Sequence, residues 1–258
     1  MRNICAVRAN LSPGMQETSV AIDVTVPSPH PDSNGEGLRI RGTIRNVFRN
    51  EHAPDEGYRL VRPFTSPPGL KKAAELDFGQ RMTLFIEWAL MRLQTVGAER
   101  ADSVPPAVCL VVLADKLEKL DLLQQLHAWE LAYVNQADQR QAMIDDLRSR
   151  LGELVRLAWQ ASSQPPLYFP KTSLKAYEGS TKSIDEASKK AIATFEDGFN
   201  TTGERNYAPG WTRLYANGVG FDPRNRPSAD DDLFALLDYA RHLTRLITLN
   251  IPEDPAHG

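Results

Sequence analysis

Cutting a phosphodiester with a metal ion requires closely spaced carboxylates that hold Mg²⁺ and orient its water, with a lysine nearby to help activate it. A β-hairpin presents such groups well, because rigid strands fix the ligands. The stretch "GTIRNVFRNEHAPDEGYRLVRPF", Gly42 to Phe64, reads as such a hairpin, but its strand positions hold arginine and apolar residues. Asp23 and Glu36 flank it on other segments. Glu51, Asp55 and Glu56 sit in its turn, the ordinary place of solvated acids. The run Asp230 to Asp232 is accounted for by a helix start, where acids meet free amides and the positive end of the dipole. No carboxylate cluster suited to a metal emerges.

Other chemistries lack their signatures. The chain has no GxxxxGK[ST] or GxGxxG phosphate loop, no HExxH and no GxSxG. The five histidines are scattered, and His127 and His242 read as half-buried residues on leucine-rich helices. Cys5 and Cys109 have no ligand-spaced partners, so neither a zinc site nor a disulfide scaffold is expected. No cofactor is expected.

Basic residues give the remaining signal. Arg39, Arg41, Arg45, Arg49, Arg59 and Arg62 crowd one region, and alternation sets Arg39 and Arg41 opposite the face of Leu38 and Ile40. Such a strip could meet phosphates or form a charged solvent face. The segment "FPKTSLKAYEGSTK" reads as a loop whose Lys171, Lys175 and Lys182, beside Tyr168, Phe169 and Tyr177, would suit nucleic acid or a protein partner. The net charge of −3 argues against a dedicated, free-standing nucleic-acid binder.

The elements that would position these groups follow from periodicity. Val20, Ile22, Val24 and Val26 alternate as a strand, "LRIRGTIRNVF" as a second, "YRLVRPF" as a third. Gly42 interrupts the second and suggests a bulge there. "PPAVCLVVLAD" reads as a continuously apolar central strand. A helix near residues 73–97 has Leu76, Met82, Phe85, Ile86, Ala89 and Leu93 on one face. Further on, Leu120, Leu123, Leu126, His127, Leu131 and Val134 mark a second helix face. Met143, Leu147, Leu151, Leu154, Val155, Ala158 and Trp159 mark a third. Ile184, Ala187, Ala191, Ile192 and Phe195 form another, and Leu233, Leu236, Leu237, Ala240, Leu243 and Ile247 the last, entered through a Ser228–Asp231 capping box. The order predicts an α/β protein with a mixed sheet over residues 20–250, an irregular segment 1–19 and a frayed tail 251–258. No run is long and apolar enough for a membrane span, and a cytoplasmic setting is expected.

"PLYFPKTSLKAYEG" followed by "ASKKAIATFEDGFNTTGERNYAPGWTRLYANG" resembles the C-terminal region of RecC, the gamma subunit of exodeoxyribonuclease V, the bacterial RecBCD helicase–nuclease. The likeness rests on Pro166 to Thr172, Phe195 to Gly198, Gly203 with Glu204, and Ala208 to Leu214. The upstream strands and "LDFGQRMTLFIEWAL" fit the same pattern. The resemblance implies a restriction-endonuclease-like (PD-(D/E)XK-type) fold, a mixed sheet with flanking helices and a degenerate catalytic centre. On that alignment Arg45 and Arg62 stand where the catalytic acids would be and Phe64 where the lysine would be. Arginines cannot replace Mg²⁺ ligands and would repel the ion. The implied work is that of a non-catalytic subunit domain, holding RecB-like and RecD-like partners and guiding DNA, with Arg39, Arg41, Lys171 and Lys175 as candidate contacts. An active nuclease using Asp23, Glu36 and Asp55, or an adaptor that never touches DNA, are the alternatives.

Overall fold

A computed structural model describes residues 14–28, 37–50, 52, 58–64, 78–96, 107–112, 121–163, 166–196, 202–207 and 229–250. Four strands form one sheet in the order β1 (Met15–Val26), β2 (Leu38–Asn50), β3 (Tyr58–Phe64), β4 (Ala107–Val112). The first three pair antiparallel as a meander, and β4 pairs parallel to β3. A parallel neighbour requires a crossover, and here it contains helix α1 (Phe78–Val96). Among the described residues five more helices follow: α2 (Asp121–Asn135), α3 (Arg140–Ser163), α4 (Pro170–Ser180), α5 (Ile184–Phe195) and α6 (Ala229–Ile247), with a 3₁₀ turn at Glu204–Tyr207. The protein is mixed α/β, with the meander beside the apolar strand as expected, but among the described residues that strand, β4, pairs with β3 alone and ends the sheet rather than standing at its centre. No described helix is long and apolar enough to cross a membrane.

The chain divides into two compact units. The first comprises Met1–Leu76, Gln80–Arg156 and Ile247–Gly258 and holds the whole sheet. In β1, Val20, Ile22, Val24 and Val26 are buried and the residues between them exposed, as period two demands. The strand nonetheless begins at Met15, five residues before its apolar alternation starts, because Met15–Thr18 pair with Val47–Asn50 of β2. The bulge is not at Gly42, which pairs in register with Ile22. It lies where Arg45 and Asn46 of β2 oppose the single Ser19, between the pairs Thr18–Val47 and Val20–Ile44. Asn46 takes a left-handed conformation there (φ 55°), which asparagine tolerates better than most residues. Beyond the bulge β1 is an edge strand. Helix α1 reaches it through Gln94, whose Oε1 accepts the Asp23 N–H at 2.7 Å. Helix α3 reaches it at Gly152, where a Cβ would lie 2.9 Å from Pro27 Cδ.

The α2 face differs from the one expected. Leu126, Trp129, Glu130 and Ala132 are buried, whereas His127, Leu131 and Val134 are exposed. In α3, Met143, Ile144, Leu147 and Leu151 are buried, while Trp159 is 63% exposed.

The second unit comprises Asp77–Gly79 and Leu157–Leu246. Its core joins Phe169 and Ala176 to Ala187, Ala191 and Phe195 of α5 and to Leu233, Leu236 and Leu237 of α6. Burial of each large apolar side chain contributes about 1.5–3 kcal/mol. Helices α4 and α5 cross closely because position 179 has no side chain: a Cβ on Gly179 would meet the Glu186 and Ala187 backbone at 2.8–2.9 Å. Ser183 caps α5, its hydroxyl accepting the Glu186 N–H at 3.1 Å. Every α6 position expected on the apolar face, from Leu233 to Ile247, is buried. Its expected capping residue Ser228 lies outside the described residues.

Candidate functional site

The β2–β3 hairpin is where the sequence directs a search for catalytic groups. Its ladder pairs Arg49 with Tyr58, Phe48 with Arg59 and Val47 with Leu60, then stops. The stop coincides with the bulge. Continued by two residues, the same register would set Arg45 across from Arg62. Arg45 is exposed on β2. The Arg62 and Phe64 backbones continue β3 and pair with Leu110 and Val112 of β4. Glu36, Glu51, Asp55 and Glu56 lie outside the described residues.

Asp23, the remaining acid suspected of binding metal, is held by arginines. It stands directly opposite Arg41 in the register, and Thr25 stands opposite Arg39. The Arg39 Nε and Nη2 groups donate to the two Asp23 carboxylate oxygens, and Arg41 Nε lies 3.6 Å from Oδ2. The Arg39 hydrogen bonds hold the Asp23 carboxyl below its usual range, and Arg41 adds to this. With both oxygens taken by a guanidinium, Asp23 is poorly placed to bind a cation. No group of three metal-ligating side chains occurs among the described residues. Beside Asp23 opens a cleft of about 690 Å³, bordered by Thr25, Gln94, Asp145 and Arg148.

Lys171 and Lys175 are in the second unit, so the structure groups them separately from the strand arginines. The segment expected to be a loop is helix α4. Pro170 occupies its first turn, where a missing N–H costs nothing. Phe169 at the N-cap position offers no capping side chain. The cap comes from elsewhere in the chain: Glu204, 4% exposed, accepts the Lys171 N–H at 2.9 Å and the Thr172 N–H at 2.6 Å. Ser173 Oγ accepts the Phe169 N–H at 2.9 Å. Gly203 sets Glu204 in place by lying against the end of α5, where a Cβ would come 2.3 Å from the Phe195 carbonyl oxygen. Burial, with Glu204 and Tyr239 adding to it, pushes the Tyr168 hydroxyl well above its usual pKa. Lys171 and Lys175 are both exposed one turn apart, and Lys175 Nζ pairs with Glu178 at 2.7 Å. The α4 N-terminus is therefore filled by the protein's own carboxylate.

One buried constellation escaped the sequence reading. Arg92 on α1 and Glu130 on α2 form an ion pair with side chains 1% and 9% exposed. Arg92 Nε reaches Glu130 Oε1 at 3.1 Å, and Trp88 Nε1 donates to the same oxygen at 2.9 Å. Around it Trp88 meets Trp129 edge-on at 5.1 Å, Trp129 stacks on Tyr133 at 5.4 Å, and the Arg92 guanidinium lies 4.6 Å from the Tyr133 ring centre. Burial pulls Arg92 down to about 10. The only sequence signal was the four-residue spacing of Trp88 and Arg92 facing Trp129, Glu130 and Tyr133. This network fixes α1 against α2; with every carboxylate oxygen engaged, it leaves no reactive group.

No family model matches the chain, and no curated protein matches it.

Proposed function

We propose that this chain is a non-catalytic framework domain of a RecBCD-type helicase–nuclease, with a restriction-endonuclease-like fold whose metal site has been lost. In this reading it holds RecB-like and RecD-like subunits and guides DNA during double-strand-break repair and recombination in the cytoplasm. What carries the reading is the resemblance, which would set Arg45, Arg62 and Phe64 at the catalytic positions of the hairpin, together with the lack of an acid at any of the three; the ladder stops two residues short of Arg45 and Arg62. The sheet order, a meander with a parallel fourth strand, is compatible with that fold. The residues on which the RecC likeness rests also converge: Phe169 packs on Phe195 at 4.7 Å, and Glu204 closes onto Lys171 and Thr172. The alternative of an active nuclease is weakened by the engagement of Asp23 with Arg39.

The test pairs two assays. The purified chain, given Mg²⁺ or Mn²⁺ and linear DNA, is expected to leave the DNA intact. Co-expressed with RecB-like and RecD-like subunits, it is expected to co-purify with them. Cleavage abolished by Asp23→Ala would establish the nuclease instead.

A further inference from the structure

We propose that the open edge of β1 at Thr25 takes up an extended peptide segment as an added strand, inside the cleft between α1 and α3. The occupant is a neutral stretch of β-branched residues, alternately apolar and polar, from a flexible part of another protein. This goes beyond the reading above and does not depend on it.

The direction of the backbone groups makes the case. The Asp23 N–H donates to Gln94 Oε1 at 2.7 Å, so it points away from β2. Asp23 opposite Arg41 is therefore a non-hydrogen-bonded pair of the antiparallel ladder, and alternation makes Thr25 opposite Arg39 another. The Thr25 N–H and C=O thus face outward as well. At Asp23 the Gln94 amide does what the carbonyl of a neighbouring strand would do. At Thr25 no group among the described residues does so. Unpaired edge groups of this kind are a template for another chain.

The space in front of Thr25 is the cleft of about 690 Å³. Strand β1 borders it from Asp23 to Pro27, about 14 Å of strand, which suits a segment of about five residues. The window is closed at both ends, by Gln94 at Asp23 and by Gly152 of α3 packed on Pro27. A second copy cannot pair through the same edge, because its β1 would lie in the same recess between its own helices. A single extended segment fits.

Side-chain preferences follow from the pleat. The residue paired with Thr25 shares the exposed face of Thr25 and suits a polar side chain. The residues on either side of it point to the face of Val24 and Val26, where Leu93 of α1 also borders the cleft; all three are buried and apolar. The charges at the rim are already balanced: Arg148 pairs with Asp145 at 3.2 Å, and Arg39 holds Asp23. Nothing there calls for a charged segment.

The experiment titrates the full-length chain into a fluorescein-labelled, end-capped hexapeptide of alternating valine and threonine and follows anisotropy. Wild type is expected to bind it saturably. Thr25→Pro removes the outward N–H and leaves the β1–β2 ladder its bonds. It is expected to bind about tenfold more weakly or worse, and circular dichroism verifies that it folds. The same peptide methylated at its backbone nitrogens keeps its side chains and loses its donors. It is expected not to bind wild type, which tests the pairing without altering the protein. No saturable binding by wild type, or binding that Thr25→Pro and N-methylation leave unchanged, overturns the proposal. Tighter binding of a peptide with lysine or glutamate in place of threonine overturns the neutral chemistry. A wild-type dimer that Thr25→Pro dissolves, followed by sedimentation, overturns the peptide in favour of a second copy.

Discussion

The Glu204 carboxylate accepts a 2.6 Å hydrogen bond from the backbone N–H of Thr172, 32 residues earlier in the chain, and so caps a helix that has no local capping side chain. Substitution by alanine would leave two amides at the α4 N-terminus without their acceptor. A buried donor left unpaired costs about 1–3 kcal/mol. Glu204→Ala is therefore expected to destabilise the protein by about 2–4 kcal/mol in urea unfolding. Glu204→Gln keeps one acceptor oxygen and is expected to lose about half as much. An alanine variant as stable as wild type would mean that Glu204 does not cap α4.

The buried Arg92–Glu130 pair predicts an asymmetry between single and double substitutions. Burial holds Arg92 at about 10, below the ordinary guanidinium range. Above about 10 and up to that range the unfolded chain binds more protons than the folded one, so this group makes stability rise with pH across that window. At neutral pH its buried charge is a cost that Glu130 and the Tyr133 ring offset. Glu130→Ala strands the guanidinium and is expected to cost about 3–5 kcal/mol. The double substitution Arg92→Met/Glu130→Leu is expected to recover most of that loss, because a well-packed apolar pair is often as stable as a buried ion pair. Urea denaturation of the three proteins decides it; a double variant no more stable than Glu130→Ala refutes the account.

These two sites also show what could be read from sequence and what could not. The α6 face was legible because Leu233, Leu236, Leu237, Ala240, Leu243 and Ile247 keep a strict three-and-four spacing, and all are buried. The β1 alternation was legible for the same kind of reason. On α2 the same reasoning chose Leu131 and Val134, which are 50% and 46% exposed, over Glu130, which is 7% exposed. A polarity pattern cannot anticipate a charge whose partner is on another helix. Helix α4 looks like a loop in sequence because Pro170 follows other prolines and the cap arrives from residue 204. Gly42 drew the bulge away from Asn46, since glycine is the commoner sign of irregular backbone and an asparagine with positive φ leaves little trace in sequence. Of the candidate site, the absence of strand carboxylates was legible at once. The engagement of Asp23 by Arg39 required the register.

That register sets a pH response. The Arg39 hydrogen bonds hold the folded-state pKa of Asp23 below its ordinary 3.8. A carboxylate with a depressed folded pKa contributes its stability in full above the unfolded value, and the contribution is lost as pH falls through the folded one. The Arg39–Asp23 contact is thus expected to be intact at neutral pH and to be lost only under acid conditions below 3.8. Following the Asp23 carboxyl carbon by NMR during an acid titration should give a midpoint below 3.8 in wild type and a return towards it in Arg39→Ala. Identical midpoints in the two proteins would show that Arg39 does not hold the carboxylate.

Two glycines should respond oppositely to the same methyl group. At Gly203 an added Cβ would lie 2.3 Å from the Phe195 carbonyl oxygen and 2.4 Å from the Glu196 carbonyl carbon, both backbone atoms. Neither can move without shifting the end of α5, and Glu204 would be displaced from the α4 amides together with it. Gly203→Ala is expected to cost at least about 2 kcal/mol, combining overpacking with partial loss of the cap. At Gly42 an added Cβ would meet nothing within 4 Å. The residue pairs in register with Ile22 and has no positive φ, so alanine fits its backbone. Restricting the unfolded chain then favours the folded state, and Gly42→Ala is expected to stabilise by about 0.4–1 kcal/mol. Thermal and urea unfolding of the two variants give the comparison. A destabilised Gly42→Ala would show that this strand position needs glycine for the backbone after all, and a neutral Gly203→Ala would show that the α5 end yields where the packing says it cannot.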